Sequence, residues 1–173
     1  GVATPAGDAP ADLLQRLLDA RDDEGDGAGL TDQEIRDQLV TFFLAGHETT
    51  STALTWTFYL LSQHADVSAK LCAEVDRVLG GRTPTFEDVD ALTYADNVVK
   101  EAMRIFPPVF AVARKCIADT RIGDYEVPAG SEVGMWIYAA HHDPRWYDQP
   151  EMFNPDRFDD AAAVQRMKNA YLP

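Results

Sequence analysis

The segment Ala45 to Thr50 (Ala-Gly-His-Glu-Thr-Thr) combines small, acidic and hydroxyl side chains in the middle of a long apolar stretch. In a helix of about 3.6 residues per turn, Ala45, Gly46 and Thr49 fall on one face. A glycine inside a helix costs about 1 kcal/mol relative to alanine, which suggests that something flat or bulky approaches the backbone there. The Thr49 hydroxyl can bond the carbonyl one turn back or loosen that bond, and the adjacent Glu48 supplies a titratable group.

A second interpretation of this segment involves no chemistry. Gly46 can let another helix cross closely, with Glu48 and Thr49 as hydrogen-bonded polar residues of the core. His47 is not expected to bind a ligand, because it lies away from the small face. A zinc site of this type also needs a second histidine where Ser51 stands. The segment alone leaves both interpretations open.

Charged residues form two further groups. Glu101 and Arg104 are three positions apart, so their side chains are within reach of each other on a helix. Most pairs of this kind are surface ion pairs worth less than about 1 kcal/mol, and in isolation we favour that interpretation. Arg157 stands between Phe153 and Phe158 after a proline. This setting predicts a guanidinium held against the protein, with a carboxylate as its partner.

A long helix must carry the first group. It is predicted to begin at a capping box of Thr31 and Glu34 and to continue without a proline to Gln63–His64. That is about 32 residues, or roughly 48 Å. Because apolar residues cover most of its circumference, the helix is expected to run through the interior.

The other predicted elements are shorter. A helix over residues 11–21 precedes an acidic loop, Asp22–Gly29, which we interpret as a solvated loop rather than a calcium site. Further helices are predicted at 66–79 and 94–106, with a helical turn from Thr85 between them. Beyond Pro107-Pro108, the sequence predicts two strands about a turn at Pro128–Gly130 and irregular chain from His141; the strands are 120–127 and 132–138.

The composition is that of a globular protein, with 173 residues, 46% of them hydrophobic and 25% charged. A net charge of −14 makes nucleic acid an unexpected partner, because binding to phosphate backbones needs clustered Lys and Arg. The two cysteines, Cys72 and Cys116, form no disulfide framework, which favours a reducing compartment, and we expect a cytoplasmic protein. No stretch reaches the roughly 18 apolar residues of a membrane span, and no signal peptide is visible.

In their order and separations, the three groups resemble motifs of the cytochrome P450 family of haem-thiolate monooxygenases. Ala45–Thr50 is similar to the oxygen-activation motif of the family's long central helix, and Glu101 with Arg104 to its E-x-x-R motif. Pro155–Phe158 is similar to the segment whose arginine completes a Glu-Arg-Arg cluster. The resemblance extends from about residue 13 to residue 173. It implies a mainly α fold with a small β component: a long central helix, an E-x-x-R helix, a short β hairpin and an irregular meander.

The resemblance implies cofactor and catalytic roles for five residues. Ala45 and Gly46 would give a flat haem b room against the helix, and Arg114 would pair with a haem propionate. Thr49 would hold a water or dioxygen by hydrogen bonds, and Glu48 would help to relay protons. Glu48 and Thr49 are therefore the implied catalytic residues.

The resemblance also implies a structural cluster and a set of partners. Glu101, Arg104 and Arg157 would form a buried charge network that shapes the chain around the haem. The implied co-substrate is O2, which oxidises a small apolar organic molecule. The two electrons would come ultimately from NAD(P)H through a redox partner, either a ferredoxin or a flavin reductase.

The sequence departs from the family at the axial ligand, a cysteine in a glycine-rich loop. Neither Cys72 nor Cys116 fits that loop, so no metal ligand is assigned in this chain. We expect an internal fragment, with a short helix and acidic loop at 1–29, a partial haem-domain core at 30–173, and the cysteine loop after Pro173. Such a fragment would not be competent alone. The alternative is a non-catalytic helical interaction module whose acidic N-terminal segment docks a basic partner.

Overall fold

The computed structural model describes residues 12–21, 25, 27–159, 161, 165 and 168–173. The chain divides into two compact units, residues 1–48 and 49–173, and the division falls inside one long helix. The division expected between residues 29 and 30 stays a prediction.

The first unit contains α1 (Leu13–Asp19) and the first part of α2 (Asp32–Gln63). A carboxylate caps α1, since Asp12 accepts a hydrogen bond from the Gln15 amide at 2.8 Å. The predicted capping box opens α2: the Thr31 amide donates to Glu34 at 2.8 Å, and the Glu34 amide donates to the Thr31 hydroxyl at 3.3 Å. Ala11 and much of the predicted acidic loop (22–24 and 26) lie outside the described residues.

The second unit contains the rest of α2 and most of the other helices. These are α3 (Ala65–Leu79), α4 (Thr93–Ile105), α5 (Ile137–His141) and two 3-10 helices, Phe86–Ala91 and Pro155–Phe158. After α3, Gly80 has a φ of 58°, a left-handed conformation that glycine adopts at little cost and that ends the helix. The predicted positions of α3 and α4 are confirmed to within one residue at each end.

The hydrophobic core of the second unit is built on one face of α4. Val98, Ala102 and Ile105 follow helical spacing and are almost completely buried. They pack with Leu60 at the end of α2 and with the remaining core residues, Val67, Tyr94 and Phe153. This packing fixes the orientation of α4 and hence of every side chain that it carries.

Strand pairing differs from the prediction. Among the described residues, four short strands form two antiparallel pairs: β1 (Ala111–Lys115) with β4 (Glu132–Trp136), and β2 (Thr120–Ile122) with β3 (Tyr125–Val127). The predicted hairpin of 120–127 with 132–138 is therefore wrong. Gly123, with a φ of 58°, reverses the chain within the predicted first strand. The Pro128–Gly130 segment instead returns the chain to Cys116, whose carbonyl accepts from the Gly130 amide at 2.7 Å.

The expectation that α2 is buried along its length is also wrong for the described chain. Of its residues, only Ile35, Thr57 and Leu60 are buried, whereas Phe43 and Phe58 are each about two-thirds exposed (67% and 68%). The prediction assumed that an apolar circumference is covered within the same chain. In the second unit, the described residues cover one side of the C-terminal turns, where Trp56 stacks on Phe106 at 4.1 Å.

Candidate functional site

A carboxylate from the neighbouring helix sets the start of α4. Glu74 on α3 is buried and accepts hydrogen bonds from the Tyr94 and Ala95 amides, both at 2.9 Å. These amides belong to the first turn of α4, where backbone N–H groups lack intrahelical partners. A negative charge there also interacts favourably with the helix dipole. Glu74 thus caps α4 from outside the helix, a contact that local sequence patterns do not indicate.

Glu101 and Arg104 form a completely buried pair in the C-terminal half of α4. Both side chains have 0% exposure. Arg104 Nε donates to Glu101 Oε2 at 2.7 Å and Nη2 donates to Oε1 at 2.9 Å, the two-point geometry in which a guanidinium binds a carboxylate best. The surface-pair interpretation of these residues is therefore wrong. The spacing of Glu101 and Arg104 indicated their contact. Their burial depends on residues that are distant in the sequence and pack over them.

Arg157 reaches the same carboxylate from the second 3-10 helix. Its Nε donates to Glu101 Oε1 at 3.2 Å, and the Asn154 amide donates to the same oxygen at 3.0 Å. Asn154 also caps this helix, accepting from the Asp156 amide at 3.2 Å. The structure thus brings Glu101, Arg104 and Arg157 together, and we refer to these three residues as the charge cluster.

The charge cluster holds two guanidinium groups and one carboxylate, so the remaining donors need neutral acceptors. Backbone carbonyls supply them. Arg104 donates to the His141 and Met152 carbonyls at 2.9 and 3.2 Å. Arg157 donates to the Asp148 carbonyl at 2.8 Å. These bonds tie the irregular chain 141–157 to α4, so the cluster stabilises a folded segment that has little regular structure of its own.

Sequence reasoning missed His141, which lies beside the charge cluster with 0% exposure. Its Nδ1 is 3.1 Å from the Arg104 carbonyl oxygen, and its Nε2 accepts from the Leu172 amide at 2.9 Å. Burial lowers the pKa of His141 to about 4. The only signal in the sequence is a histidine directly after the apolar run 137–140, and that signal names neither partner.

Two tyrosines complete the surroundings of His141. The ring of Tyr171 stacks on the imidazole at 5.5 Å, and its hydroxyl donates to the Lys100 carbonyl at 3.1 Å. The ring of Tyr147 lies 5.1 Å from the Arg104 guanidinium, and burial raises the pKa of its hydroxyl to about 12. Among the described residues, that hydroxyl has no hydrogen-bond partner.

The Ala45–Thr50 motif lies in α2 as predicted, but its surroundings are open. Ala45, Gly46 and Glu48 are exposed and Thr49 is half-buried. His47 stacks on Phe43 at 5.6 Å. Apart from the two neighbouring residues and the backbone of its own helix, a Cβ added at Gly46 would meet no described atom within 4 Å. One interpretation of Gly46 is that it lets another helix cross closely, and the described residues show no such crossing.

Arg114 lies on β1, paired in register with Val133 of β4. Its side chain is exposed and donates to the Ala113 carbonyl at 2.9 Å. The structure does not join Arg114 to the charge cluster, which lies in the same unit. An exposed guanidinium on a regular strand has the chemistry to pair with an anionic group.

Each unit separately presents a feature that suits the haem that the resemblance implies. Open space at Gly46 is compatible with a flat ring against α2, and the exposed guanidinium of Arg114 suits a propionate.

Cys72 is exposed on α3 rather than packed in a core, and Cys116 is half-buried. Within the described ranges, no group of three His, Cys, Asp or Glu side chains is placed to hold a metal ion. No helix in those ranges is long and apolar enough to cross a membrane.

Comparisons with known proteins identify relatives of this chain. A family model described as Cytochrome P450 matches residues 3–173. Cyclooctatin synthase of Streptomyces melanosporofaciens is 43% identical over 94% of this chain and 35% of its own length. Cytochrome P450 4V2 of Mus musculus is 39% identical over 93% of this chain and 31% of its own length.

A solved structure, retinoic acid-bound cyanobacterial CYP120A1, is similar with a TM-score of 0.82 and 34% identity. The similarity covers 88% of this chain and 35% of that one. The chain thus spans about a third of the length of the relatives that it matches. The mainly helical fold with a small β component is confirmed. The family match covers nearly all of the sequence, and the chain belongs to the cytochrome P450 family.

Proposed function

We propose that this chain is part of a haem-thiolate monooxygenase that inserts one atom of O2 into a small apolar organic substrate. The observation that carries the proposal is the family match over residues 3–173. A relative named cyclooctat-9-en-7-ol 5-monooxygenase, 41% identical over 94% of this chain, supports the reaction class. Two electrons would reach the protein from NAD(P)H through a ferredoxin or a flavin reductase.

Three residues of the chain would hold the haem b. Ala45 and Gly46 present no bulky side chain on the exposed face of α2, which leaves room for a flat ring. Arg114 would donate to a propionate. When bound, haem with a cysteine thiolate supplies the redox chemistry that cleaves dioxygen. We propose that this thiolate comes from a part of the full-length protein outside this sequence, because Cys72 lies within α3 and Cys116 directly after β1.

Thr49 and Glu48 would deliver protons. Thr49 has a hydroxyl that can both donate and accept, so it can hold a water next to the small face of α2. Glu48 is exposed and its carboxylate can exchange protons with solvent. A proton passed from solvent to Glu48 and then to the water at Thr49 Oγ1 would arrive where the oxygen chemistry consumes it.

The charge cluster would act before chemistry, by shaping the chain on which the cofactor site is built. Its three side chains touch one another and the backbone of residues 141–157. They are therefore proposed as positioning residues rather than as catalytic ones.

The test uses the full-length protein with Thr49→Ala. Haem content and the thiolate-type carbon monoxide spectrum of the reduced protein should match those of the wild type. NADPH consumption should continue while product per NADPH falls about tenfold or more and peroxide or water increases, since general acid–base groups contribute factors of this size. Ser51→Ala, two positions along the same helix, is the matched control and should leave coupling unchanged.

Two outcomes would contradict the proposal. If the full-length wild type takes up no haem, the monooxygenase function is wrong and a non-catalytic interaction module is favoured. If haem binds with a thiolate spectrum but Thr49→Ala keeps full coupling, the reaction class stands and the role of Thr49 is wrong.

A further inference from the structure

His141 is a completely buried side chain for which the proposed reaction has no use. It ends α5, and both of its ring nitrogens are within hydrogen-bond distance of backbone atoms. The Leu172 amide can only donate, so the Nε2 that receives this bond at 2.9 Å carries no proton. In the neutral ring the proton is then on Nδ1, which donates to the Arg104 carbonyl at 3.1 Å. The contacts of the ring thus select one tautomer of the neutral imidazole.

The partners of His141 belong to distant parts of the chain. Arg104 is 37 positions away in the last turn of α4, and Leu172 is 31 positions away on the other side. Arg104 also returns a bond, since its Nη1 donates to the His141 carbonyl at 2.9 Å. Tyr171 stacks on the imidazole with its ring plane tilted by 19°. The His141 imidazole therefore contacts both the C-terminal end of α4 and the segment 171–172.

We infer that His141 is a positioning residue that fixes the segment Tyr171–Leu172 against the C-terminal end of α4 through the neutral ring protonated at Nδ1. An imidazolium cannot do this, because it carries a proton on both nitrogens and would face the Leu172 amide with a second donor. An apolar ring of similar size would fill the space but would leave the Leu172 N–H and the Arg104 carbonyl unpaired, which is costly in a buried site.

Conservative substitutions can separate the two hydrogen bonds. In His141→Gln the side-chain oxygen reaches roughly the Nε2 position and can accept from Leu172. In His141→Asn the shorter amide reaches roughly the Nδ1 position and can donate to Arg104, but it cannot reach Leu172. A role in packing alone predicts that both variants behave alike, whereas the positioning role predicts that they differ at Leu172.

The first measurement is amide hydrogen exchange at Leu172 in the full-length protein. Exchange should accelerate about tenfold in His141→Asn, the size expected for losing one such bond, and by less than about threefold in His141→Gln. His142→Asn is the matched control, because the ring of His142 contacts Tyr138 rather than Leu172. It should leave Leu172 unchanged. Equal exchange in the Asn and Gln variants would overturn the inference.

A second measurement needs no variant and remains decisive if the substitutions prevent folding. The nitrogen chemical shifts of the His141 ring at neutral pH should show a protonated Nδ1 and an unprotonated Nε2. The opposite tautomer, or a doubly protonated ring, would overturn the inference.

The inference extends to the cofactor only if the proposed function holds, with the axial cysteine in a part of the full-length protein outside this sequence. Then His141→Asn should weaken the thiolate-type carbon monoxide spectrum more than His141→Gln does. A wild type without that spectrum would contradict the proposed function alone. A wild-type spectrum that both variants keep equally would contradict this extension alone.

Discussion

The charge cluster and the Ala45–Thr50 motif differ in how deeply their side chains are buried. Glu101 and Arg104 have 0% exposure, and the carboxylate is bound by two guanidinium groups and a backbone amide. The motif on α2 lies in the open, with exposed Gly46 and Glu48. The cluster is thus a buried part of the fold, whereas the motif lies on a largely exposed part of α2.

This difference indicates what each region contributes. A buried charge network is stable only when every partner is present, so its residues are tied to folding. An exposed helix face that carries a glycine buries little surface, so changes there should act more on binding and chemistry than on folding. Substitutions in the two regions should therefore separate into effects on stability and effects on function.

The largest effect is expected from Glu101→Gln in the charge cluster. The substitution keeps the shape but leaves two guanidinium groups near a neutral amide, and the free energy of unfolding should fall by about 3–5 kcal/mol. Urea unfolding of the full-length protein measures this loss, and haem content should fall with it. A loss below about 1 kcal/mol would contradict the assignment of the cluster to folding.

Asp96→Asn is the matched control on the same helix. Asp96 forms an ion pair with Lys100, and both side chains are largely exposed (58% and 40%). An exposed pair of this kind contributes less than about 1 kcal/mol. The two substitutions thus compare a buried with an exposed acidic residue of α4.

Acid should lower the free energy of unfolding through His141, which lies beside the charge cluster. Its pKa is lowered by burial from 6.5 to about 4, with further lowering by Arg104 and His142, while backbone carbonyls of Arg104 and Met103 oppose the shift. As the pH falls, His141 is therefore protonated in the unfolded chain at a higher pH than in the folded protein. The stabilisation is complete above pH 6.5 and is lost as the pH falls towards 4, by up to about 1.4 kcal/mol per pH unit.

Urea unfolding across this range measures the slope, and His141→Asn should reduce it. The tyrosines that face the ring, Tyr147 and Tyr171, have pKa values raised by burial and stay neutral throughout. Asp88 and Asp143 have pKa values lowered from 3.8 by hydrogen bonds, so their contributions decline only below that pH. An unchanged slope in His141→Asn would show that other groups bind the proton.

Local signals explain what the sequence predicted well. The capping box of Thr31 and Glu34 involves residues three positions apart, as does the contact of Glu101 with Arg104. Such contacts follow from helix geometry alone. The sequence therefore predicted the start of α2, the position of α4 and the presence of a carboxylate–guanidinium pair.

Contacts between distant residues explain what was missed. The burial of Glu101 depends on Arg157, 56 positions away, and His141 depends on residues 37 and 31 positions away. The pairing of β1 with β4 brings Lys115 next to Glu132, and no local pattern sets that register. The resemblance predicted the contact of Arg157 with Glu101, but nothing in the sequence indicated the partners of Glu74 or of His141.

Tyr147→Phe should produce a smaller change of opposite sign. The substitution removes a buried hydroxyl that has no partner among the described residues and keeps the ring beside Arg104. The free energy of unfolding should rise by about 1 kcal/mol. Tyr171→Phe is the matched control and should lower it by a similar amount, because that hydroxyl donates to the Lys100 carbonyl. Equal signs in the two variants would indicate that the Tyr147 hydroxyl is satisfied in solution.

The smallest effect on stability is expected at Gly46, where it should be accompanied by a functional loss. Gly46 lies inside a helix and has open space at its Cβ position, so Gly46→Ala should stabilise the protein by about 0.5–1 kcal/mol. If a flat ring lies against this face in the full-length protein, the added methyl group should also weaken haem binding, measured by titration of the apoprotein. Thr41→Ala, an exposed substitution earlier on α2, should leave haem affinity unchanged. A stabilised Gly46→Ala variant with wild-type haem affinity would place the haem elsewhere and remove the separation between the two regions.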